Sequence, residues 1–180
     1  MTPANNTTLE ETDSLKLTWS GFDASRFNVY FGEKTKPELY ESALSTEKLN
    51  VPVKGGHTYF WQIGILDDSG HESLSQVYTF KVKLNLNIEK FTGIYDCDEP
   101  NYAHYDVNIT NSGKDTLQVD NFWDLKWKLS YVLDDMGLVR IVPATFTPDP
   151  SLKVSVAGSG SFDNSTNELK VNYVVLQDAS

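Results

Sequence analysis

The segment from Val53 to Gly70, Val-Lys-Gly-Gly-His-Thr-Tyr-Phe-Trp-Gln-Ile-Gly-Ile-Leu-Asp-Asp-Ser-Gly, restricts the fold more than any other part of this chain. A small polar turn feeds a strand that opens on Tyr59, and a second turn closes it at Asp67 to Gly70. Strand side chains alternate, so Tyr59, Trp61, Ile63 and Ile65 share one face, and that face must be covered. The Tyr59 hydroxyl is placed to reach back to the backbone near Gly55, as in the tyrosine corner of a β-sandwich.

The same period of two recurs on both sides. Leu15, Leu17 and Trp19 alternate with polar residues, as do Phe27, Val29 and Phe31. Leu49, Val51 and Val53 form a short strand in which Pro52 requires an edge or a bulge,. Residues 36–48 come nearest to a helical period and read as an edge strand and loop with room for one helical turn,. A last strand over Val77 to Val82 turns Tyr78, Phe80 and Val82 inward. Short strands at this spacing predict a sandwich of about seven strands.

Leu-Thr-Trp-Ser-Gly (17–21), Phe-Asn-Val-Tyr-Phe-Gly (27–32), Gly-x-x-Tyr-x-Trp (56–61) and Val-Tyr-Thr-Phe-Lys-Val (77–82) stand in order. Together they resemble a fibronectin type III domain, an Ig-like β-sandwich, over roughly residues 3–83. The Arg-Gly-Asp loop of some adhesive members is missing, so the resemblance does not imply integrin-type adhesion. A short polar-alternating connector near Lys83 to Ile88 sets the expected domains at 1–84 and 85–180,.

The second domain is also expected to be all-β. Phe91 to Cys97 can pair with Tyr102 to Thr110, where Ala103, Tyr105, Val107 and Ile109 alternate. Trp127, Leu129, Tyr131 and Leu133 mark another strand, followed by Leu138 to Phe146, Leu152 to Phe162 and a closing set at Leu169, Val171, Tyr173 and Val175. Consecutive hairpins predict an antiparallel meander curling into a β-barrel. Gly158 and Gly160 fall mid-strand, where sharp curvature or close backbone approach needs them,. Phe-Thr-Gly-Ile-Tyr (91–95), Asp-Asn-Phe-Trp (120–123) and Val-x-Gly-Ser-Gly-x-Phe-Asp (156–163) resemble lipocalin-like β-domains of Bacteroidetes secreted proteins and lipoproteins. That resemblance implies a periplasmic or outer-surface setting, often beside polysaccharide-uptake machinery, and no particular reaction.

Charge and composition limit the functions open to such a chain. The formal net charge of −10 argues against nucleic acid, whose phosphates need a basic surface, and against docking on anionic lipid,. The single cysteine, Cys97, rules out an internal disulfide,. No apolar run approaches the roughly 18 residues needed to cross a bilayer, so membrane insertion by this segment is not expected,. The first residues lack the basic and apolar regions of a signal peptide,. The lipoprotein resemblance implies a lipid anchor carried on a removed N-terminal segment.

The chemistry-bearing residues are sparse. Of His57, His71 and His104, only His104 is a candidate neighbour for Cys97, and Cys97 itself reads as a small core residue,. Asp96, Asp98 and Glu99 bracket the cysteine, and nothing brings two acids to a glycosidase spacing,. Asp163, Ser165, Asn167 and Glu168 faintly match a calcium loop but lack its glycine and distal Glu, so a hairpin turn is the better reading,. No cofactor or metal is expected. The aromatic loop Asp120-Asn-Phe-Trp-Asp-Leu-Lys-Trp127 is the better lead, since flat rings beside Asp and Asn suit sugars. Asn121, Trp123, Trp127 and Tyr131 are the predicted binding residues. Against this, Phe122 as a barrel plug and Trp127 as a strand start would make the same cluster part of the core.

The expectation is therefore a non-enzymatic, envelope-exposed or extracellular protein. A fibronectin-type module would carry a lipocalin-like domain that binds a glycan, a small apolar ligand or an envelope protein. A purely structural spacer is the alternative, and a cryptic hydrolase ranks last.

Overall fold

The computed structural model describes residues 1–20, 26–99, 104–163, 166 and 168–179. Gly21, Tyr102, Ala103, Asn164, Ser165 and Asn167, used in the sequence reading, lie outside the described residues, as does the Asp98 side chain. The protein is all-β, and it divides into two compact units, Met1–Asn85 and Leu86–Ser180.

The first unit contains β1 (Thr7–Leu9), β2 (Ser14–Thr18), β3 (Arg26–Gly32), β4 (Leu39–Leu44), β5 (Lys48–Pro52), β6 (Thr58–Leu66), β7 (Glu72–Leu74) and β8 (Tyr78–Val82). One sheet runs β1-β8-β6-β3-β4, with β7 also on β6, and the other is β2-β5. β7 and β8 pair with successive stretches of β6, 64–66 and 58–61. Ser75 bridges the break between them, exchanging backbone and hydroxyl hydrogen bonds with Ile63. Residues 39–44 form an edge strand, and the stretch 36–48 contains no helical turn. Pro52 ends β5 in the two-stranded sheet, where its missing N–H costs no ladder bond to a further strand,.

The inward faces follow the period of two. Leu17, Val29, Trp61, Ile63 and Phe80 are all 0% exposed. Tyr59 stacks on Phe31 at 5.2 Å and on Phe80 at 5.5 Å. The Lys54 N–H donates to the Tyr59 hydroxyl at 2.8 Å, fixing the turn before β6 to the core. Burial holds that phenol protonated beyond its ordinary range,. On the outer face, Tyr30 and Asn28 both donate to the Glu72 carboxylate, at 2.9 and 2.8 Å, across the space left open by Gly64. Tyr30 is thus tied into a polar cluster, not a bare apolar patch.

The second unit begins with a 3-10 turn (Ile88–Phe91) and continues through β9 (Gly93–Asp98), β10 (His104–Asn111), β11 (Thr116–Phe122), β12 (Trp127–Leu133), β13 (Leu138–Asp149), β14 (Leu152–Asp163) and β15 (Glu168–Ala179). Each strand pairs antiparallel with its sequence neighbours, giving the order β15-β14-β13-β12-β11-β10-β9. β11 has no counterpart in the sequence reading. Its Leu117 and Val119 alternate, but Gln118, Asp120 and Asn121 dilute the pattern. The sheet curls into a half-barrel, and no ladder joins β9 to β15 among the described residues.

Gly158 and Gly160 mark a close approach of β14 and β15. A Cβ on Gly158 would meet the Asn172 carbonyl, and one on Gly160 would fall on the Lys170 carbonyl. At these positions the β15 backbone therefore comes closer to β14 than a side chain permits,. β13 carries two register shifts, between Ile141 and Ala144 and between Phe146 and Asp149. Pro143, which has no N–H to donate, sits inside the first,. The concave face is the apolar one: Leu117, Leu129, Ile141 and Val156 lie on it and are at most 1% exposed.

Candidate ligand-binding crevice

The loop between β11 and β12 shapes one end of the concave face. The ladder slips between Val119 and Phe122, and Asn121, Trp123, Asp124 and Lys126 adopt left-handed backbone angles with φ of 67°, 57°, 54° and 58°. Such angles are costly for side chains other than Gly and Asn, so the loop needs support. Asn121 provides it. Its amide donates to the Asp106 carbonyl at 2.8 Å and to Asp124 Oδ1 at 3.1 Å, and its oxygen accepts from the Lys126 N–H at 3.1 Å. The result turns Phe122 inward and stacks Trp123 on it at 5.6 Å and 11°.

Below this loop lies a crevice of about 590 Å³. β9 and β10 contribute Tyr95, Cys97, Tyr105, Val107 and Ile109, and β15 contributes Leu169, Val171 and Tyr173. The floor includes Val119, Phe122 and Tyr131. Phe91 lines the crevice and packs edge-on against Phe162 at 4.8 Å, opposite Leu169 in the β14–β15 register.

The polar groups converge at the other end. The Trp123 indole N–H donates to Glu99 Oε1 at 3.0 Å and to the Tyr173 hydroxyl at 2.8 Å. The Tyr105 hydroxyl donates to Glu99 Oε2 at 3.1 Å. Burial raises the Tyr105 pKa, and its hydrogen bonds to Cys97 and Glu99 push in the same direction. Tyr131 is pushed up to about 12 by burial, with Cys97 and Glu99 adding to the shift. Both phenols therefore stay neutral at ordinary pH.

The four predicted binding residues have separate fates. Tyr131 lines the crevice and is 9% exposed. Trp123 reaches it through Glu99 and Tyr173. Trp127 lies beside Trp123 at 6.3 Å and stacks on Phe146 at 4.4 Å and 5°, and it is not part of the crevice lining. The hydrogen bonds of Asn121 all serve its own loop and the neighbouring strand. The sequence reading missed Glu99 as a site residue, and with it Tyr105 and Tyr173. The inward alternation of β10 and β15 carried the signal for the two tyrosines, but their convergence depends on the curl of the sheet.

Cys97 and His104 are not brought together. Cys97 pairs with Tyr105 in the β9–β10 ladder and faces the crevice. His104 is exposed, with Nδ1 3.9 Å from Asp96 Oδ1. His57 pairs with Glu33 at 3.1 Å in the other unit. The Asp163 carboxylate accepts from the Thr166 N–H at 3.4 Å, as a hairpin turn requires.

No family model matches this chain, and no curated protein is similar to it. The site must be judged on its geometry alone. The first unit has a hollow of about 640 Å³, lined by Phe31, Tyr40, Tyr59 and Pro37 and bordered by Glu33, Lys34 and Glu38. Its charged rim includes an exposed Lys34–Glu38 pair at 2.6 Å, and the hydroxyl of Tyr59 on its wall is already taken by the Lys54 N–H. The crevice of the second unit combines an apolar trough with converging polar groups, the usual composition of a ligand site.

Proposed function

We propose that the second unit is a non-enzymatic binding module that takes a small, largely apolar ligand in the crevice between β9 and β15. The observation that carries this reading is an unfilled apolar trough of about 590 Å³ with polar groups gathered at one end. A purely structural module would gain stability by filling such a space with side chains. A flat glycan platform is less well supported, because Trp123 and Trp127 each have a face occupied by Phe122 and Phe146.

In this reading the first unit is a fibronectin type III-like module that presents or spaces the second, which is lipocalin-like. The Lys54–Tyr59 hydrogen bond and the strand order of the first unit support the former, and the curled meander supports the latter. An envelope-exposed or extracellular setting of Bacteroidetes type goes with both resemblances.

The test is fluorescence titration with N-phenyl-1-naphthylamine, a neutral apolar probe. Saturable enhancement in the wild type that disappears in Val171→Trp is the expected result. Val171 lines the crevice and is only half-buried, so the larger ring can fill the space without forcing the core apart. No saturable binding, or binding unchanged in the variant, refutes the proposal.

A further inference from the structure

We infer that the crevice selects a cationic amphiphile, an organic ammonium whose charge is held at Glu99 and whose apolar body lies along Val107, Ile109 and Val171. This rests on the binding reading above and adds the ligand's charge.

Glu99 anchors the polar end of the crevice. Its carboxylate is half-buried and lines the crevice. Both oxygens accept hydrogen bonds, one from an indole and one from a phenol. Those donors are neutral. They orient the carboxylate and leave its charge uncompensated, and among the described residues no Lys, Arg or His pairs with it. A carboxylate withdrawn from water without a counter-ion is costly, and a ligand that supplies one gains the difference.

The surroundings favour the same sign. Of the other acids on the lining, Asp96 and Glu168 are exposed and pair with His104 at 3.9 Å and Lys170 at 3.0 Å, so Glu99 is the carboxylate that offers its charge to a ligand. Tyr105 and Tyr131 resist ionising partly because Glu99 is near. The whole chain carries a formal net charge of −10, which raises the local concentration of cations,. Anionic headgroups meet repulsion here.

The rings around Glu99 narrow the choice further. Trp123, Tyr105 and Tyr173 are joined to the carboxylate directly or through one hydrogen bond, and Tyr131 lies within its electrostatic reach. Electron-rich rings beside one carboxylate suit a soft, weakly hydrated organic cation. A hard metal ion wants several oxygen ligands, and the site offers a single carboxylate.

The experiment is isothermal titration of the full chain with octyltrimethylammonium, n-octanol and octanoate below their micelle concentrations. The expected order is the cation about ten-fold tighter than octanol, with octanoate weakest. Glu99→Gln, with its fold checked by near-UV circular dichroism, is expected to lower the cation's affinity to that of octanol. Equal affinity for cation and octanol, or cation binding unaffected by Glu99→Gln, overturns the charge assignment while the crevice stands. No binding of any of the three overturns both.

Discussion

The indole of Trp123 and the hydroxyl of Tyr173 lie 2.8 Å apart although 50 residues separate them in the chain. That hydrogen bond fastens the loop after β11 to β15, and Glu99 shares the same indole N–H. Replacing Trp123 by Phe keeps a ring but removes the donor. The expected loss is about 1–3 kcal/mol of unfolding free energy, since two acceptors are left without it. Probe binding in the crevice should weaken as well. Urea unfolding and the naphthylamine titration check the two effects separately.

Gly160 tests the close approach of β14 and β15. A methyl group there collides with the Lys170 carbonyl, and backbone cannot swing aside as a side chain end can. Gly160→Ala is expected to cost about 3 kcal/mol or more. Gly113→Ala is the control, because a Cβ there meets only Thr116 at ordinary contact distance. Thermal melts of the two variants should differ clearly.

In the first unit, Tyr59→Phe removes the acceptor for the Lys54 N–H while leaving the stacked ring in place. The expected destabilisation is about 1–2 kcal/mol. Hydrogen exchange should show the Lys54 amide losing protection with little change at Ile63.

Tyr131 should reveal the crevice in an alkaline titration. Its folded pKa is raised, so its neutral form contributes stability that is complete below the unfolded value of 10.0 and is lost as pH climbs through about 12,. A two-unit difference corresponds to roughly 2–3 kcal/mol across that window. Absorbance at tyrosinate wavelengths should show a late-titrating phenol that is missing from Tyr131→Phe. A Tyr131 that ionises near 10 would contradict its placement beside Glu99.

The first unit was readable in the sequence because its core residues alternate without interruption. Tyr59, Trp61 and Ile63, like Phe27, Val29 and Phe31, announce their buried face directly. The need for glycine at 158 and 160 was readable for the same reason, since a gap in an alternating pattern requires a cause. β11 escaped notice because Gln118 and Asp120 sit among its apolar residues. Gln118 satisfies its amide on the Leu129 carbonyl at 2.9 Å, a bond invisible before the strands are paired. Asn121 misled for a local reason: polar residues beside tryptophans suggest a sugar site, yet this amide holds its own strained turn. Glu99 could not be singled out among the acids around Cys97, because its hydrogen-bond partners come from β10 and from the loop after β11.

The close approach at Gly158 and Gly160 has a consequence for the order of events during folding. β9 to β14 can assemble hairpin by hairpin, yet one wall of the crevice is missing until β15 pairs along β14. Ligand capture therefore reports completion of this half of the molecule. A chain interrupted before residue 168 can hold most of its hairpins and still bind nothing.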